Sequence, residues 1–106
     1  MPTFQDKHKR IVDFITSTIV SNGLESPSGC MKYPYLSPGC SAYSQCLWDW
    51  DSYWIIYAMT GIYEQTHNDR KMEEFKPYAV GSFLNFLDHQ GKDGSLPILI
   101  TPDDDD

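Results

Sequence analysis

The first segment of the chain repeats apolar residues with the period of an α-helix. They recur at three- and four-residue steps, on one side of the predicted helix, at Phe4, Ile11, Phe14, Ile15 and Ile19. Thr3 suits the cap position before this stripe, and Asp6, three residues later, completes a weak capping box. Asn22-Gly23 predicts the end of the helix, because both residues tolerate the left-handed conformation found at helix C-termini.

Residues 23–47 show no such period and are rich in Ser, Pro and Gly. Pro27, Pro34 and Pro38 exclude a regular helix from this connection. The apolar and aromatic residues between Tyr33 and Tyr43 argue against disorder. Connections of this length in compact domains are usually functional or disordered, so the pattern predicts an ordered loop that lines or covers something.

A second helix is predicted to begin near Asp51 or Ser52, either of which can cap it, and to run to about Gln65. This segment is apolar on nearly every side, which is typical of a helix buried in a larger structure. A carboxylate at its start, from Asp49 or Asp51, would also stabilise the positive end of the helix dipole by about 0.3–1 kcal/mol.

A third helix is predicted between Asp69 and Gln90, with Pro77 either kinking it or marking its true start. Asp93-Gly94 then predicts a turn, and residues 96–100 form a short extended apolar segment.

Three helices and a long loop predict an all-α fold in one segment, residues 1–106, with a solvated acidic tail at 103–106. The second helix needs more apolar cover than two partners provide. We therefore expect the chain to be part of a larger helical protein.

The charge balance narrows the function classes. The net charge is −7, and Asp103–Asp106 carry four of these charges, which leaves −3 for the rest. With no basic patch to neutralise phosphates, nucleic-acid binding is not expected. The basic cluster Lys7-His8-Lys9-Arg10 fits a solvated helix face. No apolar run approaches the roughly 20 residues of a membrane span, so no membrane partner is expected.

Cofactor and metal chemistry also find no support in the sequence. Cys30, Cys40 and Cys46 form no CxxC pair, which indicates neither a disulfide framework nor a zinc site. Reduced thiols, together with an N-terminus that lacks the apolar core of a signal peptide, predict a cytoplasmic protein. A Cys–His nucleophilic pair with His67 or His89, or a metal site that includes His8, has no supporting spacing. No glycine-rich phosphate loop is present.

The densest functional chemistry lies in the middle of the chain. Eight of the fifteen aromatic residues fall within residues 33–57, and all three tryptophans lie within residues 47–54 together with two aspartates. Sugar rings stack their C–H faces on aromatic rings and donate hydroxyl hydrogen bonds to carboxylates. Since buried charge is costly, this alternation favours a carbohydrate site, with candidate binding residues Trp48, Asp49, Trp50, Asp51, Tyr53 and Trp54.

The run Trp50-Asp51-Ser52-Tyr53-Trp54, preceded by Pro38-Gly39, resembles the tryptophan-aspartate signature of glycosidases with an (α/α)6 toroid. The similar families are the trehalases and the family 63 α-glucosidases and mannosylglycerate hydrolases. The segment 81–87, followed by Gln90, Asp93-Gly94 and Pro97-Ile98, resembles the outer helix and return turn after that signature. The resemblance covers most of residues 33–102 and implies a helical hairpin of the toroid with a long ordered loop.

The resemblance implies an inverting hydrolase of α-glycosidic bonds with a catalytic acid and base about 6.5–9.5 Å apart. In these families both carboxylates come from later loops, so this segment alone is expected to be inactive. Carried over, Trp50 becomes the stacking platform of the −1 subsite and Asp51 the acceptor of sugar hydroxyls. Tyr53 and Trp54 pack behind them or edge the pocket.

Two departures argue against trehalose as the substrate. Trehalases carry an arginine shortly after the Pro-Gly step, where this chain has Cys40-Ser41-Ala42-Tyr43. The spacing from Pro38 to Trp50 is also slightly longer than in trehalases. A relative that acts on another α-glycoside fits better.

Three hypotheses remain open at this point. The chain contributes part of a glycosidase pocket and requires the remainder of the toroid or another chain. Alternatively, it is a self-contained sugar-binding or helical interaction module without catalysis. In the third hypothesis it is a plain helical scaffold, in which Trp50 is a core residue.

Overall fold

The computed structural model describes residues 2–38 and 45–103 as three helices and four short strands. Helix α1 spans Phe4–Thr18 and continues into a π-helical turn, Ile19–Gly23. Strands β1 (Leu24–Glu25), β2 (Tyr35–Leu36) and β3 (Leu47–Trp48) follow. Helix α2 spans Asp49–Gln65, α3 spans Asp69–Asp88, and the last strand is β4, Leu99–Ile100.

The prediction of an all-α fold is wrong, because the strands form two small antiparallel sheets. β1 pairs with β2, placing Leu24 opposite Leu36, and β3 pairs with β4, placing Leu47 opposite Ile100. Each strand has two residues, too few to show the alternation that identifies a strand in a sequence. The structure is therefore a mixed fold in which an α2–α3 hairpin packs against irregular chain held by short sheets.

Helix α1 begins as the sequence predicts. The Thr3 hydroxyl accepts a hydrogen bond from the Asp6 amide, and the Asp6 carboxylate accepts one from the Thr3 amide, both at 3.1 Å. These hydrogen bonds hold the pKa of Asp6 below its ordinary value. None of the residues of α1 is buried, so its apolar stripe lies largely in solvent until Ile19, which packs on the core.

The connection between α1 and α2 supplies much of the core. Tyr35 and Leu36 are fully buried, and each belongs to a different apolar cluster. One cluster consists of Met31, Tyr35, Leu47, Phe86 and Ile100. The other consists of Leu36, Met59, Tyr63 and Phe75. The expected loop is thus ordered over its described part, and it packs inside the fold rather than only covering it. Gly39 of the Pro-Gly step and residues 40–43, which lack the arginine of trehalases, lie outside the described residues.

Side chains of helix α3 form hydrogen bonds with the backbone of this connection. The Ser82 hydroxyl accepts a hydrogen bond from the Leu36 amide at 2.9 Å. The Asn85 side chain accepts from the Tyr33 amide and donates to the Tyr33 carbonyl, at 3.2 and 2.9 Å. All these contacts lie within residues 81–87, and they join α3 to the connection between α1 and α2.

The return of the chain toward β4 determines where α2 begins. The Asp49 amide donates to the Ile98 carbonyl at 3.0 Å, directly after the β3–β4 pair. Helix α2 therefore starts two residues before the predicted Asp51, with Trp48 as its cap residue and no side-chain cap.

Pro77 lies inside α3, which begins at Asp69 as predicted. Within residues 2–38 and 45–103, no helix has the length and apolar character needed to cross a membrane.

Candidate functional site

Four aromatic side chains of α2 form one exposed row, which we call the aromatic stripe: Trp50, Tyr53, Trp54 and Tyr57. Their spacing of three and four residues places them on one side of the helix. They are exposed to 65%, 56%, 56% and 67%, respectively. Large aromatic side chains in contact with water at this density indicate a surface that binds something.

The rings of the aromatic stripe pack edge to face. Ring centroids are 6.3 Å apart for Trp50 and Tyr53, 5.1 Å for Tyr53 and Trp54, and 6.0 Å for Trp54 and Tyr57. The planes of neighbouring rings meet at 77°, 84° and 78°. These are favourable aromatic geometries. They restrict the side chains before any ligand arrives, and they present ring faces in two nearly perpendicular orientations.

A carboxylate stands beside the stripe in an open concavity of about 400 Å³, lined by Asp49, Trp50, Tyr53 and Trp54. One oxygen of Asp49 accepts a hydrogen bond from the Trp50 amide at 2.6 Å. A carboxylate has about four acceptor positions, so Asp49 retains acceptor capacity for ligand hydroxyls. Aromatic faces and a carboxylate therefore share one surface.

A second concavity, which we call the α2–α3 cleft, lies beside the first. It measures about 260 Å³ and is lined by Asp49, Ser52, Tyr53, Ile56, Ser82, Phe83, Phe86, Leu96 and Pro97. Asp49 and Tyr53 line both concavities. Ser52 is 4% exposed, and its hydroxyl has no hydrogen-bond partner among the described residues.

The structure brings together four of the six predicted site residues, namely Asp49, Trp50, Tyr53 and Trp54. Asp51 is exposed in the first turn of α2 but is not among the residues that line the concavity at Trp50. Trp48 is half-buried in β3, opposite Leu99. Trp50 is largely exposed, so it is not part of the apolar core that this chain forms by itself.

Sequence reasoning overlooked two side chains of this region. Tyr57 extends the aromatic stripe, and its position seven residues after Trp50 was the signal that it shares that side of the helix. Ser52 was considered only as a helix cap. Ser52 shares the α2–α3 cleft with side chains of α3 and with Leu96 and Pro97, and no local pattern indicates this arrangement.

Other chemistry is not assembled in the part of the chain that the structure describes. In residues 2–38 and 45–103, no group of three or more His, Cys, Asp or Glu side chains could hold a metal ion. The Cys30 thiol donates to the Thr101 carbonyl at 3.1 Å. Cys40 lies outside the described residues.

No protein-family model, curated protein or solved structure matches this chain. The geometry of the aromatic stripe and Asp49 is therefore the observation that bears on function.

Proposed function

We propose that the aromatic stripe and Asp49 bind one sugar ring, as one wall of the pocket of an inverting glycoside hydrolase that acts on α-glycosidic bonds. The catalytic acid and base come from the remainder of the catalytic domain or from another chain. The proposed compartment is the cytoplasm, a choice supported by three cysteines that form no CxxC pair.

The observation that carries this proposal is the shared concavity of Asp49, Trp50, Tyr53 and Trp54. A pyranose ring has apolar C–H faces and a rim of hydroxyl groups. The rings at positions 50, 53 and 54 offer surfaces for the faces. The Asp49 carboxylate accepts from the rim, and hydrogen bonds to a charged acceptor contribute about 1.5–3 kcal/mol.

The same lining supports the proposal that the catalytic groups lie elsewhere. Inverting hydrolysis needs two carboxyl groups on opposite sides of the scissile bond. Asp49 is the single carboxylate among the residues that line this concavity. In the proposal this wall orients the sugar, and acidic groups from the rest of the catalytic domain or from another chain transfer the protons.

Exposed apolar residues of α1 support the need for further protein around this chain. Phe4, Ile11 and Phe14 are all in contact with water, and apolar surface of this kind usually marks an interaction site. The same observation favours the second candidate function, a helical interaction module. In that case the aromatic stripe would insert into a partner's groove, because its spacing matches that recognition mode.

Paired carboxylate variants test the sugar proposal. Asp49→Asn retains an oxygen that can accept from the Trp50 amide but loses the charge, so affinity for methyl α-glucoside or maltose should fall about tenfold or more. Asp51→Asn is the matched control and should bind as the wild type does. Affinities are measured by following amide signals during an NMR titration.

Two outcomes would contradict the proposal. The first is the absence of any sugar-dependent change at residues 49–57. The second is a loss of affinity in Asp51→Asn with Asp49→Asn unaffected, which would move the acceptor role to the other aspartate.

A further inference from the structure

The α2–α3 cleft is chemically unlike the aromatic stripe beside it. Its walls are mainly hydrocarbon and aromatic, contributed by Ile56, Phe83, Phe86, Leu96 and Pro97. Three polar side chains interrupt this lining: Asp49, Ser52 and Ser82. Such a combination, apolar walls with a few polar groups, is typical of small-molecule sites.

Of the two serines in the cleft, only Ser52 has a hydroxyl that donates no hydrogen bond among the described residues. The Ser82 hydroxyl accepts from the Leu36 amide and donates to the Tyr78 carbonyl at 2.8 Å. The Ser52 hydroxyl is buried and has no partner among the described residues. Serines in helices often donate to the carbonyl four residues earlier. Since Ser52 does not, its hydroxyl remains available to a ligand.

An unsatisfied buried hydroxyl is unfavourable, and the great majority of such groups in native proteins have a partner. A ligand atom that accepts a hydrogen bond would supply one. This indication of a ligand is independent of the aromatic stripe, because it rests on a different side chain and a different concavity.

The volume of the cleft suits a ligand of about one ring. An apolar cavity of about 150 Å³ in another protein binds benzene, so about 260 Å³ accommodates a single aromatic ring with a substituent. Phe83 and Phe86 favour an aromatic occupant over an aliphatic one through ring contacts. A second sugar ring would place most of its hydroxyls against hydrocarbon walls without partners.

We infer that the α2–α3 cleft binds an aromatic ring bearing an oxygen substituent, and that this ring is the aglycone of the glycoside whose sugar lies on the aromatic stripe. The Ser52 hydroxyl donates to the oxygen that joins the ring to the sugar. Asp49 and Tyr53 line both concavities, so one small glycoside reaches both. The inference rests on the proposed function and names its substrate class as aryl α-glycosides.

The experiment titrates four probes separately into the full chain and follows amide signals by NMR: phenol, toluene, methyl α-glucoside and phenyl α-glucoside. Phenol and toluene have nearly the same shape but differ in the oxygen. Ser52→Ala should weaken phenol binding about three- to tenfold and leave toluene binding unchanged. Ser17→Ala, at an exposed position on α1, is the matched control and should change neither.

Phenyl α-glucoside should bind at least about tenfold more tightly than phenol or methyl α-glucoside, because linking two ligands makes the second contact intramolecular. Ser52→Ala is expected to fold, since alanine favours helix and removes an unsatisfied group. Its melting temperature, measured alongside, should equal or exceed that of the wild type.

The inference is overturned if phenol leaves the amides of residues 52, 56, 83 and 96 unchanged, or if Ser52→Ala weakens phenol and toluene equally. If methyl α-glucoside fails to bind while phenol binds through Ser52, the sugar proposal and the aglycone role fall together. If each binds alone but phenyl α-glucoside gains nothing, only the aglycone role is refuted.

Discussion

Replacing Gly81 with alanine should destabilise the protein, although alanine is the better helix former. A Cβ atom at position 81 would lie 1.8 Å from the carbonyl oxygen of Pro34 and 2.9 Å from its carbon. Real Cβ atoms essentially never approach other atoms closer than 3.0 Å. Helix α3 and the chain before β2 must therefore separate by more than an ångström, or distort, to admit one methyl group.

The expected magnitude follows from the contacts around this approach. Overpacking costs about 1–3 kcal/mol. Strain on the hydrogen bonds that join Ser82 to Leu36 and Asn85 to Tyr33 adds about 0.5–1.5 kcal/mol for each bond lost. The gain in helix propensity is about 1 kcal/mol. If one or two hydrogen bonds are lost, the free energy of unfolding should fall by about 0.5–5 kcal/mol.

Gly61 provides the matched control, because it lies inside α2 and a Cβ there would meet no atom within 4 Å. Gly61→Ala should raise the free energy of unfolding by about 0.5–1 kcal/mol. Urea and thermal unfolding followed by circular dichroism measure both variants, with about 4–8 °C expected per kcal/mol for a domain of this size. Equal stabilisation by the two alanines would refute the close approach of α3 to Pro34.

Two further predictions concern the β3–β4 pair and the buried tyrosines. Ile100→Ala should lower the free energy of unfolding by about 2–5 kcal/mol, because Ile100 is 1% exposed, whereas Ile98→Ala, at a position 65% exposed, should change it little in the same urea titration. Equal effects would contradict the packing of β4. Burial raises the pKa of Tyr35 and of Tyr63 above the ordinary value of 10.0, so their stabilising effect is complete below pH 10 and is lost as pH rises through the raised pKa. Tyr35→Phe should therefore reduce the decline of stability between pH 9 and 11 without abolishing it, and an unchanged decline in urea titrations across that range would contradict this assignment.

The helices could be predicted from the sequence because their signals are local. The Thr3–Asp6 capping box is confirmed at the start of α1, and the start of α3 is confirmed at Asp69. The start of α2 was predicted two residues late, because it depends on the hydrogen bond from Asp49 to Ile98, far along the chain. The short sheets escaped prediction for the same reason, since their partners are distant and each strand has two residues.

The candidate site also combines features that local spacing predicts with features that depend on distant parts of the chain. Trp50, Tyr53 and Trp54 share a helix side, which their spacing alone indicates. The choice between Asp49 and Asp51 required the structure, because residues two positions apart differ by about 200° around a helix and the start of α2 was not known. Ser52 lies in a cleft with side chains of α3 and with Leu96 and Pro97, so no pattern around residue 52 indicates its burial.

The central claim is that the aromatic stripe binds a sugar, and the most direct measurement is the affinity for methyl α-glucoside with Trp50 replaced by alanine. Trp50 is largely exposed, so Trp50→Ala should keep its melting temperature within a few degrees while losing about tenfold or more in affinity. Phe14→Ala removes another exposed aromatic residue, and it should retain full affinity. Sugar binding that survives Trp50→Ala unchanged, or no binding to the wild type at all, would contradict the account.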